Sequence, residues 1–264
     1  MIRWRNTLKI ITPPDYLCFT ANTAGSTVQL TKKWSPTAVS LETSTDWKTR
    51  ADYTIGNTIT LANVWDKVYM RNKSETTTWF STSDSKYYNF VMTWSIAWSW
   101  DVNYLLCKNS TTTLANYCYY YMFYWCTWLI TAPELPATTL ANYCYNYMFN
   151  WCTSLITAPQ LPATTLANNC YGCMFYWCTS LTTLPQLPAT TLTEFCYRDM
   201  FNWCSKIKLS TTQTWEYQTP YRIPTSWTWT TASYALNGIF NNTGWTFTWT
   251  PSINTTYYTS NTVV

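Results

Sequence analysis

The stretch TTLANYCYNYMFNWCTSLITAPQLPA (138–163) decides the fold, because near-identical copies adjoin it on both sides. Residues 112–137 and 164–189 are full copies, and residues 190–210 begin a fourth copy that then departs from the pattern. Repetition at a fixed period predicts a stack in which each copy buries its apolar side against its neighbours. The predicted core ladder comprises Cys118, Cys144, Cys170, Cys196, Cys126, Cys152, Cys178, Cys204, Met122, Met148, Met174 and Met200.

Within each copy, apolar residues spaced four apart predict a helix followed by a short strand. The rows of the second copy are Leu140, Cys144, Met148 and Cys152, with Ala141, Tyr145 and Phe149 beside them. Two adjacent rows form one apolar stripe on a helix, and Thr138 and Thr139 are suitable N-cap residues. SLITA (154–158) alternates as a strand does, before Pro159. Stacked copies would form a curved solenoid with a parallel sheet on one face and short helices on the other.

The first hundred residues have a different character. Short alternating segments rich in Val, Ile, Thr and Tyr predict an antiparallel β-sandwich. These segments are YLCFTA (16–21), STVQLT (26–31), TAVSL (37–41), YTIGNTITL (53–61), DKVYMR (66–71) and YYNFVMTW (87–94). The predicted fold class is therefore α+β, a β-sandwich followed by a leucine-rich-repeat solenoid with a degenerate C-terminal cap. Its predicted parts are a tail (1–14), the β-sandwich (15–104), a linker (105–111), the solenoid (112–210), an insertion (211–231) and a capping repeat (232–264).

The repeat motif resembles a known family. L-A-N-x-C-Y-x-x-M-F-x-x-C-T-S-L-x-T-x-P-x-L-P-A-T-T is similar to the BspA-like leucine-rich repeats of bacterial surface proteins, which phages also encode. The resemblance covers 112–210 and extends loosely to 232–258. It implies a surface protein that acts by binding, and repeats of that family usually carry Gly before the second Cys.

Composition argues against several function classes. Charged residues are 11% of the chain and its net charge is +4, from scattered Lys and Arg, so nucleic-acid binding is not expected. The chain has no His, the commonest general base and metal ligand, so neither catalysis nor a cofactor is expected. We see no apolar run that could span a bilayer and no recognisable signal peptide.

The cysteines and carboxylates are the remaining candidates for catalytic or metal-binding residues. The favoured interpretation of the cysteine rows is a small apolar residue in a narrow core, and a disulfide framework is the minority alternative. Cys170 and Cys173 form a single CxxC without a second pair, so no metal site is predicted. No two carboxylates are brought together by the sequence for glycosidase chemistry. We therefore predict that the protein is not an enzyme and has no catalytic residues.

One face of each copy varies while the core positions stay fixed, as in repeat proteins that present a contact surface. Tyr and Asn supply contact area and adaptable hydrogen bonds. An unselected solvent face would vary in the same way, so both interpretations stand. The candidate binding face comprises Tyr120, Tyr121, Tyr124, Asn146, Tyr147, Asn150, Tyr176, Arg198 and Asp199.

The tryptophans are unusual in number and position. The chain has 18 Trp and 5 Gly, and Trp125, Trp151, Trp177 and Trp203 directly precede the second Cys of each copy. That place follows the predicted helix, where the chain often needs a positive φ and Gly is usual. One hypothesis is that many Trp arise from the codon UGA, which some lineages read as Trp and others as Gly. The competing hypothesis is a ladder of exposed Trp that stacks on glycans.

Together these observations favour a non-enzymatic, adhesin-like protein, located at a cell surface or secreted, that binds a host protein or glycan through the repeats. The alternative is a phage-encoded receptor-binding or virion-decoration protein. A glycan-active enzyme with a carbohydrate-binding module is a third class, against which the absence of His and of paired carboxylates argues.

Overall fold

The computed structural model describes residues 16–78, 80–108, 113–223, 232, 234–244 and 256–264. The predicted tail (1–14) and parts of the predicted linker, insertion and cap (109–111, 224–231, 233 and 245–255) lie outside the described residues. The strands are β1 (Leu17–Ala21), β2 (Ser26–Lys33), β3 (Leu41–Ser44), β4 (Ala51–Tyr53), β5 (Thr58–Leu61), β6 (Lys67–Asn72), β7 (Tyr87–Thr93), β8 (Ile96–Ser99), β9 (Leu129–Thr131), β10 (Thr183–Leu184), β11 (Leu209–Ser210), β12 (Thr219–Arg222), β13 (Thr256–Thr259) and β14 (Thr262–Val263).

The N-terminal strands form two sheets around an aromatic core. One sheet has the order β4-β3-β6-β1-β8-β9 and the other β5-β2-β7, and all pairings except β8–β9 are antiparallel. Alternation along β2 buries Val28 and Leu30, as expected for a strand with one face toward a core. Phe19 packs edge-on against Trp98, with 4.0 Å between ring centroids.

The predicted helices are absent, and the α+β leucine-rich-repeat solenoid is wrong. Within the described residues the only helix is the four-residue 3₁₀ helix Val102–Leu105, and the strands form several small sheets. The apolar half of each copy is instead a chain of tight turns. In the second copy a left-handed residue recurs every fourth position: Tyr143 (φ 58°), Tyr147 (φ 56°) and Trp151 (φ 63°). A right-handed helix cannot contain such residues.

The hydrogen bonds of these turns alternate between the copy itself and its neighbour. Cys144, Asn146, Met148, Asn150 and Cys152 each donate N–H to the carbonyl three residues earlier in the same copy. The intervening N–H groups donate to carbonyls of the next copy, for example Tyr145 to Cys170 and Phe149 to Met174, both at 3.0 Å. Every second backbone N–H in this stretch therefore joins two copies, and a copy on its own would leave these donors without their partners.

Aromatic ladders run through the whole stack. The rings of Phe90, Phe123, Phe149, Phe175, Phe201 and Phe240 lie in sequence, with successive centroids 5.3–5.7 Å apart. The rings of Tyr119, Tyr145, Tyr171 and Tyr197 stack in the same way at 5.6–5.8 Å. Phe90 belongs to β7, so the N-terminal sheets supply the first rung of the phenylalanine ladder. The twelve residues of the predicted core ladder are all buried.

The N-terminal sheets and the copies share one core. β9 of the first copy pairs in parallel with β8, and the N–H of Phe90 donates to the carbonyl of Met122 at 2.8 Å. In the strand half of the copies beyond β9, the N–H of Ile156 donates to the Ile130 carbonyl and the N–H of Thr182 donates to the Ile156 carbonyl. At the other end, β14 pairs in parallel with β10. The predicted strand in SLITA is thus reduced in the second copy to one isolated bridge, Thr131 with Thr157.

Candidate interaction surface

Five tyrosines gather where the N-terminal sheets meet the first two copies. We call Tyr87, Tyr120, Tyr121, Tyr124 and Tyr147 the tyrosine cluster. The ring of Tyr121 is central, with centroids 5.1 Å from Tyr87, 4.4 Å from Tyr120, 4.8 Å from Tyr124 and 5.1 Å from Tyr147. Four of the five rings are half-buried, and Tyr120 is buried beneath them.

The repeat geometry brings these rings together. Tyr121 and Tyr147 occupy equivalent left-handed positions in consecutive copies, so stacking places one beside the other. Tyr87 comes from β7, whose residue Asn89 donates its side-chain amide to the carbonyls of Tyr121 and Tyr124, both at 3.0 Å. The backbone that carries the cluster is therefore fixed by hydrogen bonds and is not a free loop. This limits the motion of its side chains, which is the condition called preorganisation.

Four phenols of the cluster, those of Tyr87, Tyr120, Tyr121 and Tyr147, are neutral at physiological pH. Burial raises the pKa of Tyr87, Tyr120, Tyr121 and Tyr147, and the neighbouring phenols raise it further for Tyr87 and Tyr120. A neutral phenol both donates and accepts a hydrogen bond beside an apolar ring. The cluster thus offers aromatic area together with hydroxyl groups, the composition found at the centre of many binding interfaces.

The other predicted face residues are divided between surface and interior. Asn146 and Asn150 are buried, and the Asn146 amide donates to the carbonyl of Asn169 at 3.1 Å, so the Asn146 side chain supports the stack. Tyr176 is half-buried. Arg198 and Asp199, also half-buried, form an ion pair with 3.7 Å between Nε and Oδ2. The structure therefore brings together Tyr120, Tyr121, Tyr124 and Tyr147 from the predicted set.

Tyr87 was missed by sequence analysis. It lies in the predicted strand YYNFVMTW, outside the repeat, and the repeat register was the only guide to shared surfaces. The signal that could have found it is the spacing of Tyr87 and Phe90, which matches that of Tyr120 and Phe123 within the first copy.

The repeat tryptophans form a ladder of their own beside the cluster. Centroids of Trp125, Trp151, Trp177 and Trp203 are 5.3, 4.5 and 4.6 Å apart in sequence, and the rings are stacked. Each ring face is therefore covered by the next ring, except at the ends of the ladder. A glycan stacks on a free ring face, so this geometry opposes the hypothesis of a glycan-binding Trp ladder.

The backbone under the Trp ladder is left-handed, with φ between 62° and 65°. Such a conformation costs a bulky residue about 1–2 kcal/mol. An aromatic stack contributes about 0.5–1.5 kcal/mol. Ring stacking therefore does little more than offset the backbone strain. The rings of Trp125 and Trp203 are exposed, whereas Trp151 and Trp177 are half-buried between them.

The cysteines are part of the buried core. All eleven are buried and unpaired. The thiols of Cys126, Cys152, Cys178 and Cys204 donate to the carbonyls of Phe90, Phe123, Phe149 and Phe175, respectively, at 3.0–3.1 Å. Burial raises the pKa of each of these thiols, which keeps them protonated and weakly nucleophilic. A hydrogen bond to the preceding copy thus accompanies the apolar role predicted for these residues.

One pair of carboxylate residues, Asp101 and Glu134, lies on two adjoining segments of the described structure. Asp101 and Glu134 occupy neighbouring positions in a parallel bridge. The Asp101 carboxylate accepts the Asn103 N–H at 2.7 Å as the N-cap of the 3₁₀ helix, and Glu134 is exposed. Across the described residues, no group of three His, Cys, Asp or Glu side chains could hold a metal ion.

One groove lies on the proline-rich edge of the first two copies. Its volume is about 560 Å³, and it is lined by Ala132, Pro133, Glu134, Leu135, Pro136, Pro159, Gln160 and Pro162. Glu134 and Gln160 supply its polar side chains and are both exposed. This groove lacks the convergent polar groups that orient a small ligand.

In the part of the chain that the structure describes, no helix has the length and apolar character needed to cross a membrane. No protein-family model, curated protein or solved structure matches this chain.

Proposed function

We propose that this protein is a non-enzymatic interaction protein, adhesin-like and located at a cell surface or secreted, and that it binds a protein or glycan through the tyrosine cluster. The single observation that carries the proposal is the packing of Tyr121 against four other tyrosines on a hydrogen-bonded surface. The resemblance of the motif to BspA-like surface proteins supports the same assignment.

The contrast between core and face supports the proposal. The buried Cys, Tyr, Met and Phe positions are the same in every full copy, whereas the position of Tyr121 holds Tyr, Cys or Asp in the following copies. The surface chemistry therefore differs along the stack, and the aromatic character is concentrated at the first two copies. A partner would meet tyrosines at one end of the stack and the Arg198–Asp199 pair toward the other.

The test uses Tyr121→Asn and Tyr147→Asn, singly and together, on a glycan array and on a panel of extracellular-matrix proteins. Asn tolerates the left-handed backbone of both positions, so these changes remove the ring with little strain. We expect the double variant to lose about tenfold or more in affinity for the ligand that the unaltered protein selects.

Tyr234→Asn is the matched control, because Tyr234 is left-handed (φ 54°), exposed and outside the tyrosine cluster. It should leave the affinity unchanged. Absence of binding on both panels, or equal binding by the control and the double variant, would refute the proposed function. Binding to a bacterial surface glycan would favour the phage-encoded alternative over the adhesin.

A further inference from the structure

Three quarters of the described tryptophans share a backbone conformation that L-residues rarely adopt. The structure describes twelve of the 18, and nine of these have φ between 50° and 72°. The nine are Trp34, Trp47, Trp65, Trp94, Trp100, Trp125, Trp151, Trp177 and Trp203. By comparison, five of the 22 tyrosines, all described, have a positive φ. Only a few per cent of non-Gly residues in proteins do so.

The nine tryptophans have no structural role in common apart from this conformation. Four belong to the stacked copies, and five lie in separate turns and bends of the N-terminal sheets. Trp34 is 79% exposed and Trp65 is 72% exposed, so their rings gain little packing that could offset the strain. What these positions share is a requirement of the backbone, and the residue that meets it without strain is glycine.

Trp98, by contrast, occupies a position at which the tryptophan ring is buried and packed. It lies on β8, is 3% exposed, and packs against Phe19, Phe90 and Phe123 with centroids 4.0–4.8 Å away. Its φ is not positive. The described tryptophans thus include a core residue whose ring is used and nine residues whose backbone suits glycine.

Residues suited to the left-handed region occupy comparable places elsewhere in the chain. Gly25 (φ 77°) and Gly56 (φ 95°) lie in turns of the N-terminal sheets. Asn242 (φ 53°) follows Trp203 in the Trp column, because the N–H of Trp203 donates to the carbonyl of Asn241. Asn is among the residues that tolerate this conformation best.

We infer that glycine occupies the nine left-handed positions in the protein as its own cells make it, because the codon UGA is decoded there as glycine. UGA is a stop signal in the standard code and is read as Trp or as Gly in variant codes, whereas UGG encodes Trp. One misread codon accounts at once for the excess of Trp (18), for the scarcity of Gly (5) and for the conformation of the nine. The Trp ladder is then absent from the native protein, and the tyrosine cluster remains.

The direct test combines the codons with peptide masses of the protein purified from the cells that produce it. We expect UGA at the nine positions and the glycine mass in each peptide that covers them, with UGG and the tryptophan mass at Trp98. Tryptophan masses at Trp125, Trp151 and Trp177 would overturn the inference, and so would UGG at most of the nine codons.

A second test needs only recombinant protein of the printed sequence. Trp65→Gly should raise the thermal unfolding midpoint by about 2–4 °C, because it relieves a strained and exposed residue. Trp215→Gly is the control, since Trp215 is 86% exposed and its φ is not positive. The control should not raise the midpoint. A lower midpoint for Trp65→Gly than for the unaltered protein would count against glycine at this position.

Discussion

Removal of residues 138–163 is expected to leave a folded protein that is one copy shorter. The deletion joins Ala137 to Thr164, which is equivalent to Thr138, so the first copy meets the third in the original register. The N–H of Tyr119 then finds the carbonyl of Cys170 in place of that of Cys144, and Phe123 stacks on Phe175. We expect somewhat lower stability with cooperative unfolding, since one nearest-neighbour interface is lost.

Two control deletions make this prediction specific. Deletion of 151–176 also removes one full period and should fold as well, although it begins at a different phase of the repeat. Deletion of 138–150 removes half a copy, so the remaining half leaves its neighbours' N–H groups and ladder rings without partners. When the unfolding of this variant in urea is followed by tryptophan fluorescence, we expect no cooperative transition. Equal behaviour of all three deletions would show that stacking register does not determine the fold.

The second large effect is a steep loss of stability at alkaline pH. Burial raises the pKa of all eight thiols of the core ladder, and it raises the pKa of Cys196 to about 11. Burial also raises the pKa of the four stacked phenols, those of Tyr119, Tyr145, Tyr171 and Tyr197. In the unfolded chain thiols ionise at about pH 8.5 and phenols at about pH 10. Below those values both states keep their protons, and stability is independent of these groups.

As pH rises through the unfolded values, the unfolded chain releases protons that the folded chain retains, so the free energy of unfolding falls. Each group contributes a slope of up to about 1.4 kcal/mol per pH unit. Eight thiols together therefore reach on the order of 10 kcal/mol per pH unit, comparable to the whole stability of a typical domain. We expect base-induced unfolding within about two pH units above the unfolded thiol pKa.

Urea titrations at a series of pH values from 7 to 11, in the presence of a reductant, measure this dependence. Cys152→Ser is the matched variant, because it removes one titrating thiol and keeps a donor for the Phe123 carbonyl. Its slope should be shallower by the contribution of one proton. A free energy of unfolding that stays constant between pH 8 and pH 10.5 would contradict the assignment of these groups to a protonated core.

The repeat and its buried positions could be derived from the sequence, because the same residues recur at one period. The conformation within a copy could not. Leu140, Cys144, Met148 and Cys152 are spaced four apart without exception, whereas a helix of 3.6 residues per turn turns about 40° too far with each such step. That constant spacing fits a four-residue unit of turns with one left-handed residue, although over one copy it resembles a helical stripe.

The binding surface was derivable only in part. Variation between copies identified Tyr121, Tyr124 and Tyr147, because the variable positions of a stack either face outward or lie next to positions that face outward. It could not separate them from Asn146 and Asn150, whose amides are buried between copies. The place of Tyr87 in the cluster could not be predicted from the repeat, because Tyr87 lies in β7, outside the copies. Its contact with Tyr121 depends on how β7 packs against the first copy.

The central claim is that a left-handed residue at every fourth position replaces the helix in each copy. Backbone ¹³C chemical shifts and φ-dependent couplings, measured by NMR for residues 140–152, test it most directly. We predict positive φ at residues 143, 147 and 151, with negative φ at the residues between them. Right-handed helical values through the whole stretch would contradict the stacked-turn fold.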